Sequence, residues 1–103
     1  MDVNKIEEIL AEFAKQRDWD KFHSPKNLAM ALSVEASELV EIFQWLTEEQ
    51  SYDLDEKKMQ HVKEEIADVT IYILNLCRKL NINLESAILN KIEINSSKYP
   101  RKN

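Results

Sequence analysis

Glu35-Ala36-Ser37-Glu38 and Glu65-Ile66-Ala67-Asp68 each set two carboxylates three residues apart. Both blocks lie in segments whose apolar residues recur with helical period, so each pair stacks on one helix face. Four carboxylates on two helices offer the oxygen donors that a hard divalent cation requires, Mg²⁺ above all, with Mn²⁺ as its substitute. Mg²⁺ is the usual escort of phosphate substrates, which points the chemistry toward phosphate transfer or hydrolysis.

An acidic pair alone says little in a chain with 19 Asp and Glu, and Glu38 with Glu41 makes another such pair. Position relative to the apolar stripe says more. Counting about 100° per residue, Leu32, Ala36, Leu39, Phe43 and Leu46 fall within about 40° of one another. Glu35, Glu38 and Trp45 lie on one flank of that stripe. In the second segment Met59, Val62, Ile66, Val69, Ile73, Cys77 and Leu80 form the stripe, and His61, Glu65, Asp68 and Tyr72 follow on the same rotational side. Acids beside a core and interleaved with aromatics describe a lined site rather than a solvated face.

The elements that must position these residues are helical. An apolar face of Val3, Ile6, Ile9, Leu10 and Phe13 predicts a helix from about Asp2 to Arg17. Ser24 as N-cap with Pro25 at the first helical position opens a second helix, predicted to run to about Leu46. Thr47 to Asp53 is a polar connector. Asp55 caps a third helix ending near Leu80, and Asn83 caps a fourth from Leu84 to about Ser97. Short connections favour antiparallel neighbours, so the predicted fold is an all-α antiparallel four-helix bundle, one domain over residues 1–103.

Composition removes other chemistries. The chain has no glycine, which excludes a Walker loop, a Rossmann fingerprint and any other Gly-rich phosphate cradle. Its two histidines, His23 and His61, do not form the acid-x-x-His motifs of a di-iron bundle, and with the lone Cys77 they make a poor zinc set. A net charge of −5 argues against nucleic acid or an anionic membrane as partner. Cys77 on an apolar stripe reads as a core residue in a reducing compartment, and the N-terminus has no signal-peptide pattern, so a cytoplasmic protein is expected.

Further candidates lie outside the acidic blocks. Lys91, Lys98, Arg101 and Lys102 cluster around Asn95, Ser96 and Tyr99; such bases ordinarily complement a helix C-terminus, and beside a metal they become candidates for holding phosphate oxygens. Trp19 and Phe22 ordinarily seal the end of a bundle, but two indoles, Trp19 and Trp45, near a metal site could sandwich a nucleobase, each stack worth roughly 1–3 kcal/mol.

The acidic blocks, Ser33-Val34-Glu35-Ala36-Ser37-Glu38-Leu39 and Glu64-Glu65-Ile66-Ala67-Asp68, resemble those of the MazG-like all-α nucleotide pyrophosphohydrolases, with the nearest likeness to the dCTP pyrophosphatase subgroup. The resemblance takes in Arg17-Asp18-Trp19, Phe22-His23, Pro25-Lys26-Asn27-Leu28, Phe43-Gln44-Trp45, Asp68-Val69-Thr70-Ile71-Tyr72, Lys91 to Asn95 and Tyr99-Pro100, nearly the whole chain in order. It implies Glu35, Glu38, Glu65 and Asp68 as Mg²⁺ ligands, with Glu38 or Glu35 the catalytic base. It implies Trp19, Trp45 and Tyr72 around the base of a nucleoside triphosphate, His23 and Asn27 at its edge, and Lys91, Asn95, Tyr99 and Arg101 on the phosphates. It further implies hydrolysis to monophosphate and pyrophosphate in nucleotide-pool clearance, and a homotetramer.

A rival reading is a non-catalytic helical module that associates through its apolar stripes. It accounts for the amphipathic helices but not for acids beside the core on both central ones. Val40, Ile71 and Leu74 point away from the main stripes and predict a second apolar face, hence a homo-oligomer built as a dimer of dimers.

Overall fold

The computed structural model describes residues 1–102, and among these every regular element is helical. Helix α1 spans Val3–Gln16, α2 Pro25–Phe43, α3 Glu56–Leu80 and α4 Leu84–Lys98, with 3-10 turns at Asp20–Phe22 and Gln50–Tyr52. Each α-helix begins where a short polar side chain satisfies a free backbone N–H. Asp2 accepts from Lys5, Ser24 from Asn27, Asp55 from Lys58 and Asn83 from Ser86. In a chain without glycine, Asn81 takes the left-handed position that ends α3, at φ 55°. Helix α2 ends at Phe43, three residues short of the predicted Leu46. The connector beyond it is ordered by a reciprocal pair, Thr47 N–H to Gln50 Oε1 at 3.0 Å and Gln50 N–H to Thr47 Oγ1 at 3.1 Å.

Helices α2 and α3 form the principal pair, and α1 packs on α3. The pair is antiparallel: Asp20, just before α2, meets Arg78 and Lys79 near the end of α3, whereas Glu35 further along α2 meets Glu65 near the start of α3. The fully buried apolar residues are Ala14, Leu28, Val62, Leu74 and Cys77. This differs from the predicted stripes. Met59, Ile66 and Leu80 are exposed, while Leu74, expected to point outward, is only 1% exposed. With α1 and α2 both against it, α3 has two covered faces, and a wheel drawn for one stripe misplaces the residues between them.

The fourth helix departs most from expectation. It forms where predicted, but it does not close a four-helix bundle within one chain. None of its residues is buried, and Ile88, Leu89, Ile92 and Ile94 are all at least half exposed. The radius of gyration is 16.7 Å, against about 13 Å for a compact chain of this length. No helix among the described residues is long and apolar enough to cross a membrane.

Candidate functional site

Glu35 and Glu38 on α2 and Glu65 on α3 bring one carboxylate oxygen each to within 4.8 Å of one another. The i, i+3 spacing aims Glu35 and Glu38 together, and the antiparallel pairing of α2 with α3 delivers Glu65 opposite them. Glu65 is buried; Glu35 and Glu38 are half-buried. Oε2 of Glu35 and Oε2 of Glu65 are both inaccessible and have no hydrogen-bond partner. Two carboxylates without a donor share either a proton or a cation. Without a cation, contact with Glu65, burial and the nearby Glu38 hold the Glu35 carboxyl up at about 7. An all-oxygen set of acids with two unpartnered buried oxygens suits a hard divalent cation, and these three residues would hold it.

Asp68 is half-buried on α3, one turn beyond Glu65, and is not part of the close group. Sequence reasoning passed over His61 as a member of the site. Its Nε2 lies 3.4 Å from Glu65 Oε1, leaving Oε2 as the free acceptor. The i, i+4 spacing of His61 and Glu65 was the available signal.

The expected base-contacting residues stand elsewhere. Trp19 is tied to α1: its backbone N–H donates to Ala14 O at 2.9 Å, and its ring meets Phe13 edge-on at 5.6 Å. His23 is half-buried near Arg78, Asp20 and Lys79, and burial, reinforced by Arg78, pushes its imidazole below the usual range. Asn27 donates to Phe22 O at 3.0 Å, so its amide braces the 3-10 turn. At 1.5 Å per residue, the α3 stretch from Glu65 to Arg78 is about 20 Å long. The Trp19–His23 segment therefore sits far along the helix pair from the acids of its own chain. Trp45 is 86% exposed just past α2, and Tyr72 is half-buried on α3. Lys91, Asn95, Tyr99 and Arg101 are exposed, and among the described residues neither Lys91 nor Arg101 makes an ion pair.

The MazG-like family model matches residues 30–103, which contain all the acids of the site. The chain belongs to the MazG-like family. This MazG-like chain is 39% identical over 100 residues to dCTP pyrophosphatase 1 from Homo sapiens and from Mus musculus, a match covering 95% of the chain. It spans 59% of the length of those relatives. A crystal structure of a pyrophosphatase from Archaeoglobus fulgidus DSM 4304 is 44% identical and superposes with a TM-score of 0.90, over 95% of this chain and 92% of that one. An overlay so complete must take in most of α4, so the projecting fourth helix belongs to the fold of this MazG-like chain.

Proposed function

We propose that the protein is a Mg²⁺-dependent nucleoside triphosphate pyrophosphohydrolase that prefers dCTP and clears it from the nucleotide pool. The observation that carries this reading is the meeting of Glu35, Glu38 and Glu65 with two buried oxygens that lack any donor. The relatives named dCTP pyrophosphatase and pyrophosphatase support the substrate class. A bound divalent cation supplies charge neutralisation at the phosphate oxygens and acidifies water. Glu35, Glu38 and Glu65, with Asp68 on the same face of α3 as Glu65, would hold it. Glu38 accepts the proton of the attacking water as the α–β anhydride is cleaved, giving monophosphate and pyrophosphate. Lys91, Asn95, Tyr99 and Arg101 hold phosphate oxygens, and Trp19, Trp45, Tyr72 and His23 surround the base.

The Trp19–His23 segment meets the acids only if copies of the chain assemble. The surface of the single chain is 8501 Å², whereas a folded monomer of its mass exposes about 6,000 Å². The excess, about 2,500 Å², is what one subunit contributes to a large obligate interface. Exposed apolar side chains occur on every α-helix, among them those of α4 and Val40 and Ile71, which are exposed as the sequence predicts; Leu74 is removed from that face by its burial. We therefore place the Trp19–His23 segment of one copy against the acids of another, in a tetramer built as a dimer of dimers. Following pyrophosphate release from the four dNTPs with Mg²⁺ or Mn²⁺ tests the reaction. Pyrophosphate with the matching monophosphate, fastest from dCTP, is expected. Orthophosphate alone, or no turnover with either ion, removes the reading.

A further inference from the structure

The segment that carries Trp19 and His23 is clamped to the end of α3 by an ion-pair network. The Asp20 carboxylate accepts from Lys79 Nζ at 2.8 Å and lies 3.4 Å from Arg78 Nη1. The two cationic side chains are only 23% and 19% exposed. Arg78 is itself braced, since its Nη2 donates at 3.2 Å to Oδ1 of the buried Asn75. Isolated surface ion pairs contribute little, but this carboxylate has two partners, one of them fixed on a buried amide. From the other side the segment is held by Ala14 O, the Phe13 ring and the Asn27 amide. The five residues Trp19–His23 are thus restrained at both flanks and in the middle, a degree of restraint that sealing the end of a helix pair does not require.

We propose that Asp20 is a positioning residue: its ion pairs to Arg78 and Lys79 hold the segment so that Trp19 and His23 are preset for the base of the bound nucleotide. The inference rests on the nucleotide-hydrolase reading given above. Presetting a loop reduces the ordering cost of binding, so the clamp acts on substrate affinity. The preset side chains meet the base rather than the phosphates, where the bond is broken, so kcat is left nearly untouched.

The kinetics are read with dCTP and Mg²⁺. Asp20→Asn raises KM by ~3- to 10-fold with kcat within about twofold. Asp20→Glu, which keeps the charge, restores KM. Lys79→Met raises KM in the wild-type background but adds nothing in the Asp20→Asn background, because both remove one interaction. In a Trp45→Phe background, where Trp19 is the sole indole, Asp20→Asn increases acrylamide quenching of its fluorescence. Asp20 is exposed, so the variant folds, as far-UV circular dichroism verifies. Unchanged KM in folded Asp20→Asn, or a rise that Asp20→Glu does not repair, overturns the clamp. A wild-type protein that releases no pyrophosphate from any dNTP overturns the underlying reading instead, so the two failures are distinct.

Discussion

Glu35 and Glu65 meet across the α2–α3 pair with one inaccessible oxygen apiece and no donor for either. Among the described residues the one basic group paired with either acid is the half-exposed His61 imidazole, 3.4 Å from the other oxygen of Glu65. The fold keeps this arrangement at a cost in stability, which is characteristic of a site shaped for a ligand rather than for packing.

That cost sets a pH dependence. The Glu35 carboxyl is held at about 7, above its ordinary 4.5. A carboxyl raised in the folded state favours folding while it is protonated; its contribution is complete below 4.5 and is lost as pH rises through about 7. The melting temperature of the chelator-treated protein should therefore fall between about pH 5 and about pH 8. A divalent cation takes the place of the proton, so Mg²⁺ should raise the melting temperature more at the higher pH. Differential scanning fluorimetry with and without Mg²⁺ reads both effects. A non-catalytic helical module would give the same melting temperature with and without the ion at either pH.

Amide substitutions separate holding from catalysis. In Glu35→Gln the new amide donates to the free oxygen of Glu65, and the metal-free protein at alkaline pH should gain ~1 kcal/mol. Its thermal response to Mg²⁺ should disappear. In Glu38→Gln the proton acceptor is lost, and kcat should drop ~10²- to 10⁴-fold. Denaturant titrations and steady-state kinetics on the two variants give these values. A Glu35→Gln protein less stable than wild type without metal would show that the pair is not repulsive.

Much of this was legible in the residue pattern, and the omissions share a cause. Ser24-Pro25, Asp55 and Asn83 announce their helices because capping is local chemistry. Glu35, Glu38 and Glu65 were found because i, i+3 spacing and adjacency to an apolar stripe survive whatever packs against them. Leu74 was misplaced because its burial depends on α3 having two neighbours, which periodicity does not encode. Asn27, expected at the edge of the nucleotide pocket, also braces a turn with its amide, a partnership decided by the path of the loop. Helix α4 forms where its cap predicts, but its expected place in the bundle is not taken: capping fixes where a helix begins, not what packs against it.

Leu74 and Ile71 offer a direct contrast on one helix. Leu74 is 1% exposed and Ile71 is 36% exposed. Leu74→Ala should cost ~2–5 kcal/mol through lost transfer energy and a residual cavity. Ile71→Ala should leave the fold of the chain within ~1 kcal/mol and weaken assembly instead. Urea denaturation at several protein concentrations separates the two, because only the assembly effect depends on concentration. Equal, concentration-independent losses would mean that Ile71 belongs to the internal core.

The placement of Trp19 far along the helix pair from Glu38 leads to the final prediction. Light scattering should give about four times the chain mass of 12.1 kDa for the wild type. Ile92→Glu, which puts a charge on the exposed face of α4, should lower that mass and abolish turnover together. Shared sites also permit complementation. Trp19→Ala lacks a base contact and Glu38→Gln lacks the proton acceptor, so at dCTP well below KM each assembly alone should be nearly inactive. When the two chains are mixed equally, unfolded and refolded together, a loop from one copy and acids from another combine at random. About a quarter of the sites then receive both native parts, and activity should return to about a quarter of the wild-type value. If each chain completed its own site, every site in the mixture would carry one of the two defects, and no activity would return.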